Sequence, residues 1–156
     1  MIREAKLKDF QKIMSLLKLN LDTFSKSEIP AAANYIPELI RQKNKYGNFF
    51  VIVDRNEIVG CAGYSREQDV IGVYSFNWLA IHPDFKRRGL ATELYNHIEN
   101  SVKLLNARLF IANAGEKEPN RFFYKKMGFK VCGKIPKYYS NKKDLIWYYK
   151  FLQPVD

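Results

Sequence analysis

The chain is predicted to be an α/β protein: a mixed, mostly antiparallel sheet with helices on both faces. Three observations predict it. The hydrophobic period switches along the chain between about 3.6 and 2, alternating helical with extended segments. Short turns join some strands as hairpins, while helices separate others, as in β-α-β crossovers. The chain of 156 residues has 47% apolar residues, with ten Tyr, eleven Phe and two Trp. That is enough for one packed core and excludes disorder. With no fixed-period repeat, low-complexity tract or linker rich in Gly, Pro or Ser, one domain over residues 1–156 is expected.

Residues 1–5 read as a short first strand. Asp9 is placed to cap a helix with Phe10, Ile13, Met14, Leu17, Leu21 and Phe24 on one face. A second helix is expected over about 37–45, after Pro30 and Pro37, ending at Gly47. Asn48–Val53 and Glu57–Tyr64 form a hairpin around Asp54-Arg55-Asn56. Residues 71–81 form a long strand. Unbroken alternation would put Val73, Ser75, Asn77, Leu79 and Ile81 on one face. A helix over about 89–104 turns Ala91, Leu94, Tyr95, Ile98 and Val102 inward. Residues 107–113 are extended. Pro119 suits the first turn of a short helix that Gly128 closes. Strands over about 129–135 and 145–152, joined by Ser140-Asn141-Lys142-Lys143, complete the order β-α-α-β-β-β-α-β-α-β-β.

Cys61 and Cys132 each lie in an apolar run and read as small buried hydrophobes, with no CxxC pair. His82 and His97 have no partners at metal spacing, so no metal site is expected. The start MIREAKLKDF is no signal peptide and no apolar run is long enough to span a membrane, so a cytoplasmic location is expected. The net charge of +10 is uneven: residues 1–82 hold 11 Lys/Arg against 9 Asp/Glu, and residues 83–156 hold 15 against 7. A basic half suits a polyanionic partner, but for charge alone a solvated lysine-rich face is the better explanation.

The charges gain meaning from their setting. In Ile81-His82-Pro83-Asp84-Phe85-Lys86-Arg87-Arg88-Gly89-Leu90-Ala91 a strand ends, a loop turns and a helix begins near Gly89. A helix N-terminus offers unpaired N–H donors and partial positive charge, which suit phosphate. Gly89 permits close backbone approach. The run Lys86-Arg87-Arg88-Gly89-Leu90-Ala91 resembles the acyl-CoA signature Q/R-x-x-G-x-G/A of the GCN5-related N-acetyltransferase (GNAT) family. Phe123-Tyr124-Lys125-Lys126-Met127-Gly128-Phe129 resembles that family's last-helix motif. The element order agrees along nearly the whole chain. Lys86 stands for the usual Gln/Arg and Ala91 for the second Gly. Lys117 stands where many members have an Asn, with Asn120 nearby.

The resemblance implies a GNAT-like acyl-CoA N-acyltransferase fold and transfer of an acetyl group from acetyl-CoA to a primary amine by direct attack. It implies that backbone N–H groups of residues 87–92, Thr92 included, cradle the pyrophosphate. Leu79, Ala80 and Ile81 would pair with the pantetheine arm, with the Ile81 N–H as an oxyanion donor. Asn120 and Phe123 would border the cofactor, and Tyr124 would protonate the departing thiolate. The strand position where some members carry a basic Glu is Ser75 here. Ser75 and Asn77 are poor bases that could hold a water; Glu116 and Glu118 are other candidates, while His82, also titratable, reads as an incidental loop residue. A weak relay suits an amine of low pKa, so an N-terminal α-amine is the acceptor expected first. The pair Tyr138-Tyr139 resembles a loop shaping the acceptor site in protein N-terminal acetyltransferases, although Tyr pairs also pack ordinary hairpins. The alternatives are a small-molecule amine acceptor (metabolite, antibiotic or polyamine), a non-catalytic acyl-CoA-binding protein, and a nucleic-acid-binding module. The last lacks any helix-turn-helix, RRM or zinc-finger signature. The expected partners are acetyl-CoA and an amine acceptor, with neither membrane nor nucleic acid; a homodimer is left open.

Overall fold

The computed structural model describes residues 1–116 and 118–153, with Glu118 described by its backbone alone. Its elements run β1 (Ile2–Glu4), α1 (Phe10–Lys18), α2 (Glu28–Arg41), β2 (Gly47–Asp54), β3 (Glu57–Arg66), β4 (Val73–Ile81), α3 (Leu90–Leu104), β5 (Leu109–Gly115), α4 (Glu118–Lys126), β6 (Lys130–Ser140) and β7 (Lys143–Phe151). This is the order expected. The seven strands form one mixed sheet in the order β1-β2-β3-β4-β5-β7-β6. Among the described residues, β4 and β5 are the one strand pair that runs parallel; the other neighbouring strands pair antiparallel. The crossover through α3 is what makes that one pair parallel.

Each face of the sheet buries its own apolar layer. On one face Leu94, Tyr95, Ile98 and Val102 of α3 pack on Phe76, Phe110 and Phe129. On the other, Ile13, Leu16 and Leu17 of α1 and Ile36 and Leu39 of α2 pack on Phe49, Val51 and Cys61. Burying each such side chain contributes about 1.5–3 kcal/mol.

The first helix is shorter than its apolar pattern suggests. It ends at Lys18, because the buried Asn20 turns its side-chain amide back to donate to the Leu16 carbonyl at 2.9 Å. Leu21 is therefore exposed, while the turn returns Phe24 to the core against Trp78. Asp9 does not cap α1 with its side chain; its carboxylate accepts from Lys6 N–H and from Arg3. The second helix begins at Glu28, well before position 37. Pro30 falls in its first turn, where no N–H is required, and Pro37 is accommodated inside it. Cys132, on the edge strand β6, is exposed rather than buried. The extended segment expected over 107–113 lies at Leu109–Gly115, and β6 runs on to Ser140 through an irregular register after Ile135.

The most consequential departure is in β4. Its register with β3 slips between Cys61 and Gly63, so Ala62 faces two residues, Trp78 and Leu79. Trp78 has φ of 56°, a conformation that costs a non-glycine residue roughly 1 kcal/mol. Its indole packs against Phe24 and Tyr35. The bulge breaks the alternation. Ser75 and Asn77 stand toward the α1/α2 face, whereas Leu79 and Ile81 pack with the α3 layer. The single face expected to carry all five residues does not exist.

Candidate functional site

Strands β4 and β5 pair over only three residues, Val73–Ser75 against Leu109–Ile111. Beyond them β5 continues along β7 and β4 along β3, so the two strands diverge. A cleft of about 930 Å³ occupies the gap and runs through the sheet layer from the start of α3 to α2.

At the α3 end, Gly89 caps the helix with φ of 79°. A side chain has open space there, but the left-handed backbone favours glycine. The first intrahelical bond runs from Glu93 N–H to the Gly89 carbonyl. The N–H groups of Leu90, Ala91 and Thr92 therefore have no intrahelical acceptor, and all three residues line the cleft. Lys86 and Arg87 line it too, with Lys86 Nζ 3.8 Å from Asp22. The Arg88 side chain does not: its guanidinium stacks over Phe85, 4.9 Å from the ring centre. Open space, unpaired donors and positive charge together fit a pyrophosphate group.

In the middle, Leu79, Ala80 and Ile81 line the cleft. His82 N–H donates to the Val59 carbonyl. Antiparallel alternation then turns the Ile81 N–H away from β3, toward the diverging β5. Asn120, Phe123 and Tyr124 enter from α4, which holds Pro119 in its first turn and which Gly128, with φ of 89°, closes. Tyr124 is buried in face contact with Tyr148, their ring centres 4.7 Å apart. Burial, with Tyr148 and Tyr139 adding to it, raises the Tyr124 phenol well above its usual range. It is a protonated donor at any physiological pH.

At the α2 end, Phe24, Tyr35, Trp78, Tyr139 and Trp147 supply aromatic walls. Tyr139 donates its hydroxyl to Asn113 of β5 at 3.2 Å, and Lys143 Nζ lies over its ring. Tyr138 is exposed, touches Tyr139 edge-on and lies outside the lining. Asn77 spends both amide hydrogens, one on Tyr35 and one on Ser65, each at 2.9 Å.

Three carboxylates line the cleft. Glu28 is paired with Lys143 at 3.2 Å and also accepts from Ser25. Asp22 lies beside Lys86. Glu67, just past the end of β3, accepts the Ser75 hydroxyl at 2.6 Å. Sequence reading passed over Glu67. The signal was the hairpin register: Ser65 faces Ser75, so Glu67, two residues on, is a diagonal neighbour of Ser75 on the same face. The other candidate bases fall elsewhere. Glu116 is paired with Lys134 outside the cleft, and His82 accepts from Asp84 N–H to cap the short turn Pro83–Phe85. Lys117 and the Glu118 side chain lie outside the described residues. Among the described residues no group of three or more His, Cys, Asp or Glu could hold a metal ion, and no helix is long and apolar enough to cross a membrane.

The acetyltransferase (GNAT) domain model matches residues 45–131, and the chain belongs to that family of acetyl-CoA-dependent acetyltransferases. Solved structures share the fold over essentially its whole length. Ard1 from Thermoplasma volcanium is 19% identical, with 99% of this chain and 98% of that one covered and a TM-score of 0.82. An aminoglycoside 6'-N-acetyltransferase in complex with coenzyme A is 18% identical over 100% and 99%, with a TM-score of 0.81. The ribosomal-protein-S18-alanine N-acetyltransferase from Escherichia coli is 15% identical over 100% and 96%, with a TM-score of 0.78. No curated protein matches the chain.

Proposed function

We propose that the chain acts as one catalytic domain in the cytoplasm, moving the acetyl group of acetyl-CoA directly to a primary amine, an N-terminal α-amine first. The observation that carries this reading is the continuous cleft that links the start of α3, through Tyr124, to the aromatic and acidic α2 end. The N–H groups at the start of α3, with Lys86 and Arg87, would hold the pyrophosphate. Leu79, Ala80 and Ile81 would lie along the pantetheine arm, bordered by Asn120 and Phe123, with the Ile81 N–H placed to stabilise negative charge on the thioester oxygen. Tyr124 would give its proton to the departing thiolate. Acetyl-CoA supplies the activated acyl group. Tyr139 would border the acceptor.

Proton affinity and the charge of the cleft favour a single α-amine. A lysine amine of pKa ~10.4 is neutral in about 1 part in 2,500 at pH 7, a handicap of roughly 4.6 kcal/mol, against roughly 1.4 kcal/mol for an α-amine of pKa ~8. A polycation would need several unclaimed carboxylates. Glu28 at the α2 end is neutralised by Lys143, and Asp22 stands beside Lys86 toward the α3 end, which supports one ammonium rather than many.

The test compares short peptides bearing a free N-terminus with the same peptides N-blocked and carrying one lysine, followed by thiol release from acetyl-CoA. Faster turnover of the free N-terminus is expected, rising through the pH range where that amine deprotonates. Preference for the blocked lysine peptides overturns the α-amine choice. Inactivity on both, with turnover of a small metabolite amine, moves the acceptor to that class. Tight DNA binding that falls steeply with salt, without measurable affinity for coenzyme A, overturns the enzyme reading altogether.

A further inference from the structure

We propose that Glu67 receives the acceptor's ammonium group and takes its proton before attack, with Ser75 holding the carboxylate in place. The inference rests on the acetyltransfer reading above and names the proton acceptor that β4 itself lacks.

Among the described residues, Glu67 has no Lys, Arg or His within ion-pair distance, unlike Glu28 and Asp22. A carboxylate set in a cleft wall and left without a cation is complementary to an incoming one. Its orientation is fixed at two points: Glu67 N–H donates to the Val73 carbonyl at 2.9 Å, and Ser75 Oγ donates to Oε1 at 2.6 Å. Serine's single hydroxyl hydrogen is thereby committed, so Ser75 is a positioning residue and Oε2 is left for the substrate. Among the described residues, the side chains that interact with Glu67 are polar and uncharged at neutral pH. From α2 comes Tyr35, whose phenol is pushed up by burial and further by the charge of Glu67. From β4 comes Ser75.

An R–NH3⁺ group docks on Glu67 and loses one proton to it, directly or through one water, and Glu67 passes that proton to solvent. The freed lone pair forms the N–C bond at the thioester carbonyl. The C–S bond breaks, and its electron pair leaves with sulfur. Tyr124 protonates the thiolate and regains a proton from the nitrogen that has just bonded. The products are the amide, the free thiol and one released proton.

The experiment measures thiol release from acetyl-CoA with three probes: a free-N-terminus tetrapeptide, phenylethylamine and spermidine. Parent and Glu67→Gln proteins are compared from pH 6 to 9.5, with acetyl-CoA affinity measured by calorimetry. Expected is a fall in kcat/KM of about 100-fold at pH 7 with the best probe. The acetyl-CoA Kd should stay within twofold, and the gap should narrow as pH rises and the amine deprotonates unaided. Glu67→Asp should recover part of the rate, because it restores the charge at shorter reach. A gap that stays constant with pH, or a Glu67→Gln rate within twofold of the parent, overturns the assignment while leaving the acetyltransferase reading intact. If the parent binds acetyl-CoA but releases no thiol with any probe, the acetyltransfer reading fails and the role of Glu67 falls with it.

Discussion

The two ends of the cleft are built in opposite ways. The α3 end and the middle of the cleft take most of their groups from one stretch, residues 79–92, and many of them are backbone N–H donors whose direction follows from a strand ending and a helix starting. The α2 end gathers side chains from Phe24 to Tyr35, from Ser65 to Asn77, and from Asn113, Tyr139 and Trp147. A pyrophosphate can be held by helix geometry and charge, which a contiguous chain supplies alone. An amine must be met by particular side chains at particular distances, and distant parts of the chain supply them.

That contrast can be broken most sharply where the ends meet. Tyr124→Phe removes one hydroxyl and keeps the ring that stacks on Tyr148. Turnover should fall about 10²–10⁴-fold while acetyl-CoA affinity changes less than twofold. Because burial raises this phenol, a rate limb due to Tyr124 losing its proton should lie above the usual Tyr range, near pH 10, not below it. A turnover number within twofold of the parent, with chemistry rate-limiting, would remove Tyr124 from the mechanism.

The α3 end is challenged by Gly89→Glu, which adds negative charge beside the unpaired donors and a side chain at φ of 79°. Coenzyme A affinity should fall on the order of 100-fold, since charge-assisted hydrogen bonds contribute about 1.5–3 kcal/mol each. Circular dichroism should still report a folded protein, because nothing lies within 4 Å of the added Cβ. Unchanged affinity in a folded variant would move the phosphate site elsewhere.

The α2 end yields the smallest but most discriminating comparison. Tyr139→Ala removes an aromatic wall and a bond to Asn113, so the acceptor KM should rise roughly 5–10-fold, about 1–1.4 kcal/mol. Tyr138→Ala, on an exposed ring outside the lining, should leave it within twofold. Equal effects of both would show that the loop acts as a unit and that lining the cleft is not the criterion.

The legibility of the site follows the same division. The segment from Ile81 to Ala91 could be read because a period change, a glycine and a basic run coincide within eleven residues. The α4 motif could be read because Pro119 and Gly128 bracket a helix with Tyr124 on its buried side. Arg88 shows where this stops. Its place in the motif says nothing of its side chain, which stacks over Phe85 and leaves the lining. The helix ends were blurred for local reasons: Asn20 captures a carbonyl and stops α1 early, and Pro30 sits harmlessly in the first turn of α2.

By itself the sequence determined the order of elements, the mixed sheet and the phosphate-suited helix start. These depend on hydrophobic period, turn residues and short-range spacing, all of which act within a few residues along the chain. Only the tertiary structure decided the divergence of β4 from β5, the bulge at Trp78 that turns Ser75 and Asn77 away from Leu79 and Ile81, and the meeting of Glu67 with Ser75. Strand register and side-chain pairing arise from contacts between segments, and a bulge of one residue reverses which face every later side chain occupies.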